Sequence, residues 1–158
     1  PSFRTYATQV VANAKALAHT LIRQGCTLTT GGTDNHLMVI DLRAQGTIGN
    51  VIAEALEEAN IIVNRNSVPH DPNPPFYPSG IRLGTPAITT RGMGENEMEQ
   101  IGKWIVEVIN EVSHYRLPED KEQRAAFLKN IRKELSRNKK LQAIAHSVTL
   151  LTSRFPVP

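Results

Sequence analysis

Ser79-Gly80-Ile81-Arg82-Leu83-Gly84-Thr85-Pro86 is the stretch from which the fold can be built. Ile81 and Leu83 alternate with Arg82 and Gly84, and a period of two puts the two aliphatic side chains on one face of a strand and Arg82 on the other. The strand is therefore half-buried, with helices expected on the aliphatic side only. The flanking glycines let another group approach the backbone closely. A guanidinium on the uncovered face has two uses. It can grip a carboxylate through two parallel charge-assisted hydrogen bonds, or it can close a salt bridge to Asp34, Asp41 or Glu54 of the same chain. The residues alone leave both open.

Upstream, residues 64–80 hold five prolines, Pro69, Pro72, Pro74, Pro75 and Pro78. Such a stretch can be neither helix nor central strand, and reads as a stiff ordered loop of the length that commonly carries function. Asn64-Arg65-Asn66-Ser67-Val68-Pro69 leads into it. Asparagine amides offer donors and an acceptor suited to the edge of a heterocycle, or they can simply bond loop backbone.

Further out, residues 3–24 form an amphipathic helix: Tyr6, Val10, Ala14, Leu17 and Leu21 recur at steps of three and four, and Gly25 closes it. Two strands follow, 27–30 and 37–42, joined through Gly31-Gly32-Thr33-Asp34-Asn35-His36. That run could present Asp34, Asn35 and His36 to a metal or a proton, but it is also what a tight turn needs. No second histidine lies near in sequence to complete a ligand set. A second helix spans 49–59, and residues 61–64 read as a short buried strand. Beyond Arg91-Gly92 a third helix runs to about Ser113, with Glu95, Glu97 and Glu99 at its positive end. Pro118 is placed to open a basic helix, and 148–155 is a last apolar segment. The class is α+β: a small, mostly antiparallel sheet with helices on one face.

The 158 residues, 40% hydrophobic and 21% charged, can bury a real core without staples. Cys26 is the only cysteine, which excludes an internal disulfide and a multi-cysteine zinc site and fits a reducing compartment. No apolar run approaches the roughly 18 residues of a membrane span. A soluble, cytoplasmic protein is expected. The chain opens on Pro1 without an initiator methionine, as expected of a processed product or a piece of a longer chain. The net charge of +3 is concentrated: segment 116–140 has nine Lys or Arg against four Asp or Glu, a surplus of five that leaves the rest near minus two. Without interleaved aromatics for base stacking, the segment reads as a solvated helix face and not a nucleic-acid stripe.

Taken in order and spacing, Gly31-Gly32-Thr33-Asp34-Asn35-His36-Leu37, the run 64–69, and Ser79-Gly80-Ile81-Arg82-Leu83-Gly84-Thr85-Pro86-Ala87 with Thr89, Arg91 and Gly92 resemble the C-terminal domain of serine hydroxymethyltransferase, also called glycine hydroxymethyltransferase. Gln9-Val10-Val11-Ala12-Asn13-Ala14 in the opening helix also resembles the family. The resemblance implies the small domain of an aspartate-aminotransferase-type pyridoxal phosphate enzyme, with residues 1–115 as the domain proper and 116–158 as a basic helical extension packed on it. It implies that Arg82 binds the α-carboxylate of serine or glycine and that Asn66 hydrogen-bonds the pteridine of tetrahydrofolate, the co-substrate. Pyridoxal phosphate would be bound mainly by a large domain outside this chain. None of the seven lysines here has the setting of the family's Schiff-base lysine, so no catalytic residue and no metal site is expected in this chain, which should be inactive alone. The implied partners are that large domain and a second copy in a homodimer or higher assembly, with no nucleic acid or membrane. Arg91 looks structural, and no role is attached to Arg65, Asp34 or His36. The rival reading is a non-catalytic module that binds nucleic acid or an acidic protein through 116–140.

Overall fold

A computed structural model describes residues 2–157. Helix α1, Phe3–Arg23, starts where the Ser2 hydroxyl accepts from the Thr5 amide, and it ends before Gly25, whose φ of +89° only glycine adopts freely. Its buried face is Val10, Ala14, Leu17, Ala18 and Leu21. Strands β1, Thr27–Leu28, and β2, Leu37–Asp41, pair antiparallel. A 3-10 turn at Arg43–Gln45 leads into α2, Gly49–Glu58. Strand β3, Asn64–Asn66, is followed by the proline loop, then by β4, Gly80–Gly84, and a short helix α3, Pro86–Thr90. Helix α4 is Glu95–Val112, α5 is Gln123–Leu135 and α6 is Lys139–Ser153.

The four strands form one antiparallel sheet in the order β1-β2-β4-β3. Met38, Ile40, Ile81 and Leu83 are buried on the face that the helices cover, while Arg82 and Gly84 are exposed on the other. Against that covered face lie α1 and α2; α4 packs on both, α5 packs on α2, and α6 packs on α2 and α4. Where α1 meets α4, Gly102 is bare because a Cβ there would stand 2.8 Å from Thr20 Cγ2. The end of β4 is tied to α1 by polar groups: Thr85 Oγ1 donates to the Val10 carbonyl at 2.8 Å, and the buried Asn13 Nδ2 donates to Thr89 Oγ1 and the Met93 carbonyl.

Three expectations need correction. The strand expected at 61–64 lies at Asn64–Asn66 and is an exposed edge. After α2 the chain turns at Asn60, φ 61°, and Ile61 donates its amide to the Leu56 carbonyl; pairing begins only at Asn64, opposite Arg82, and Ile62 is 78% exposed. Pro118 does not open α5. The Asp120 carboxylate instead accepts from the Glu122 amide and Gln123 Nε2, and the helix starts at Gln123. The apolar segment 148–155 is the last part of a longer helix that begins at Lys139, where Asn138 Oδ1 accepts the amides of Lys140 and Leu141.

Candidate functional site

The uncovered sheet face carries the two polar residues singled out by sequence. Arg82 stands in register between Val39 on β2 and Asn64 on β3, and partners across an antiparallel ladder share a face. Asn66, two residues along β3 and opposite Gly80, is on that same face. The internal salt bridge left open for Arg82 is not made. Asp34 pairs with Lys15 at 3.6 Å, Asp41 with Arg43 at 2.6 Å and Glu54 with Arg132 at 2.8 Å. Among the described residues no side chain or carbonyl bonds the exposed Arg82 guanidinium. An arginine held on a central strand and left unpaired keeps its whole fork for a carboxylate from elsewhere. The Asn66 amide donates to the neighbouring Ser67 carbonyl at 2.7 Å, the loop-backbone bond considered as its alternative use.

Between these residues the proline loop is pinned at several points. Gly49, first residue of α2, donates its amide to the Pro78 carbonyl at 2.7 Å, and Asn50 Nδ2 donates to that of Phe76. Arg124 of α5 lies over the Tyr77 ring, 5.3 Å from its centroid. Val68 is buried over Gly80, where a Cβ would lie 2.7 Å from its Cγ1. The centre of the loop is Asp71. Its Oδ2 accepts from the amides of Val68 at 3.2 Å and Ser79 at 2.9 Å, and its Oδ1 from the Asn73 amide at 3.0 Å and Ser79 Oγ at 2.6 Å. Burial pushes that carboxyl upward, but the bonds from Ser79, Asn73 and Val68 outweigh it and hold Asp71 below the usual carboxylate range. Sequence reasoning passed over Asp71. The available signal was Asp71-Pro72-Asn73, an aspartate two residues before a backbone amide that it can turn.

The glycine-rich run 31–36 is a turn. Thr33 Oγ1 donates to the Leu37 carbonyl, and Asn35 Oδ1 accepts the Leu37 amide. Asp34 and His36 are exposed, and among the described residues no three His, Cys, Asp or Glu groups come together to hold a metal ion. Arg91 is drawn away from the open face to the end of α6. A mostly apolar cavity of about 170 Å³ lies on the helix side, among Leu17, Leu83, Trp104 and Leu151, and reaches neither Arg82 nor Asn66. Cys26 is buried, which pushes its thiol up to about 11.

A family model described as serine hydroxymethyltransferase matches residues 1–105. The chain belongs to the serine hydroxymethyltransferase family. The family's enzyme from Koribacter versatilis is 59% identical over 107 residues, 68% of this chain and 25% of the relative. That of Acidothermus cellulolyticus is 47% identical over 158 residues, all of this chain and 33% of the relative, and that of a Jannaschia species is 56% identical over 110 residues, 70% of this chain and 25% of the relative. The chain thus spans a quarter to a third of the length of these serine hydroxymethyltransferases. The family implies pyridoxal phosphate, and the residues present do not fit a covalent site for it. All seven lysines are exposed on the surface, and none lines the apolar cavity. No helix among the described residues is long and apolar enough to cross a membrane.

Proposed function

We propose that this chain is the C-terminal part of a serine hydroxymethyltransferase that moves the one-carbon unit of serine to tetrahydrofolate, leaving glycine. In this reading residues 1–115 supply two subsites and 116–158 are an extension that buttresses them. Arg82 holds the α-carboxylate of serine or glycine, and by gripping both oxygens it sets the rotation of the amino acid about its Cα bonds. Asn66 takes the pteridine of tetrahydrofolate once its amide turns from the Ser67 carbonyl. Pyridoxal phosphate, the electron sink of such chemistry, belongs with the remainder of the longer polypeptide, in a cytoplasmic homodimer or higher assembly.

The observation that carries this reading is the unpaired Arg82 guanidinium on a central strand, sharing the uncovered face with Asn66. The alternative of a nucleic-acid or acidic-protein module has less support, because part of the basic segment's charge is engaged internally. Arg132 pairs with Glu54 through both Nε and Nη2, Lys140 with Glu111, and Arg124 with the Pro118 and Glu119 carbonyls. The test is to assay the 158-residue chain and the longer polypeptide that carries it for serine-dependent glycine formation with tetrahydrofolate. The chain alone should be inert and retain no pyridoxal phosphate through gel filtration, and the longer polypeptide should be active. An inert longer polypeptide, or covalent retention of the cofactor by a lysine of this chain, overturns the reading.

A further inference from the structure

We propose that Asp71 is a positioning residue for the folate subsite, holding Asn66 in place by stapling the two ends of the proline loop. The inference rests on the functional reading above and deepens it. Strand β3 has little of its own to hold it: three residues on a sheet edge, none of them buried. From Ser67 to Ser79 the chain must then leave Asn66 and return to Gly80, its partner in register. Five prolines in residues 64–80 deprive the loop of backbone donors, so it cannot order itself through a ladder. The Asp71 carboxylate gathers donors that remain. One oxygen joins Val68, two residues after Asn66, to Ser79, the residue before β4; the other bonds Asn73 and the Ser79 hydroxyl. Asn73 Nδ2 adds a 3.0 Å bond to Ser79 Oγ. Both ends of the loop therefore meet on one side chain. An ionised carboxylate suits the place because it only accepts, and all four of its partners donate.

Arg82 does not depend on this staple, since β4 is bonded to β2 on one side and β3 on the other. Loss of the staple should therefore separate the two subsites. An asparagine at 71 would retain one acceptor oxygen and turn an NH₂ donor toward amides that also donate, so the loop would loosen while the sheet stayed paired.

The experiment uses the full-length enzyme that carries this chain, with serine and tetrahydrofolate varied in turn. Asp71→Asn should raise KM for tetrahydrofolate by roughly tenfold or more while KM for serine stays within about twofold. A residue that merely supports folding would lower the active fraction, and with it apparent kcat, without moving either KM. Ser79→Ala, which removes one hydroxyl and leaves the backbone bonds, should shift the folate KM in the same direction by a smaller factor, and it decides the matter if Asp71→Asn does not fold. An unchanged folate KM in Ser79→Ala and in any folded Asp71→Asn, or equal shifts for both substrates, overturns the inference alone. A wild-type enzyme inert toward serine overturns the functional reading, and this inference with it.

Discussion

Arg91 holds the last turn of α6 and the residue just past its cap, its Nη2 donating to the Thr152 carbonyl at 2.9 Å and its Nε to that of Phe155 at 2.6 Å. Terminal carbonyls of a helix have no partner within it, and a cation there also meets the negative end of the helix dipole. Arg91 is itself the C-cap of α3, which follows the strand that carries Arg82. The end of the chain is thereby fastened next to the sheet. Arg91→Ala should cost roughly 2 kcal/mol and raise hydrogen exchange in the last two turns of α6 before it affects β4. Unchanged exchange in α6 would mean that the apolar contacts of Leu141, Ile144 and Val148 hold the helix unaided.

Gly49 is a second point where one atom decides packing. A Cβ there would overlap the Gly80 carbonyl oxygen and stand 3.0 Å from that of Pro78, and both belong to backbone that cannot retreat. Gly49→Ala should destabilise by about 1–3 kcal/mol, read as a lower urea midpoint with an unchanged slope. Gly32→Ala is the control: nothing lies within 4 Å of its Cβ position, and its midpoint should stay close to wild type.

Acid should act through Asp41. Its carboxylate accepts Arg43 Nη2 at 2.6 Å and Nε and the Arg43 amide at 3.0 Å. The Arg43 side-chain bonds lower its pKa, against the opposing effect of burial. A folded-state pKa below the unfolded value, about 3.9 for aspartate, contributes stability that is complete above that value and is lost as pH falls through the lower one. Wild type should lose stability between about pH 5 and pH 2 more steeply than Asp41→Asn, which starts weaker at neutral pH. Urea midpoints across that range check it, and parallel curves for the two proteins would remove Asp41 from the account.

Alternation made Arg82 legible in sequence, because a period of two is imposed by the strand itself and Ile81 and Leu83 had to face the core. The long helices were legible for the same reason at a period near 3.6. Ile61-Ile62-Val63 misled because an apolar run announces burial but not pairing, and the free edge of β4 lies opposite Asn64. Helix α6 starts at a single capping side chain, Asn138, and α5 just after a turn bonded by Asp120, local devices that periodicity does not register. Asp71 is the clearest case. Its bond to the Asn73 amide is local, but Val68 and Ser79 lie three residues before it and eight after it, so its role as a staple exists only once the loop has closed.

Arg82→Lys in the full-length enzyme should impair serine use far more than folding. Lysine keeps the charge but not the planar fork, and two parallel bonds to a carboxylate fix orientation as well as affinity. The Arg82 side chain bonds nothing among the described residues, and its neighbours Ile81 and Leu83 are buried on the opposite face, so the thermal midpoint should barely move. Serine and glycine should bind more weakly and turnover should slow, because both ground-state affinity and the approach to the transition state depend on how the amino acid is held. Tetrahydrofolate KM should change less, since Asn66 sits on a different strand, tied to Arg82 only through the ladder between Asn64–Asn66 and Gly80–Gly84. Near-normal serine kinetics in this variant would mean that the α-carboxylate is held elsewhere. A variant that instead unfolded would make Arg82 a structural residue, in conflict with its exposed and unpaired side chain.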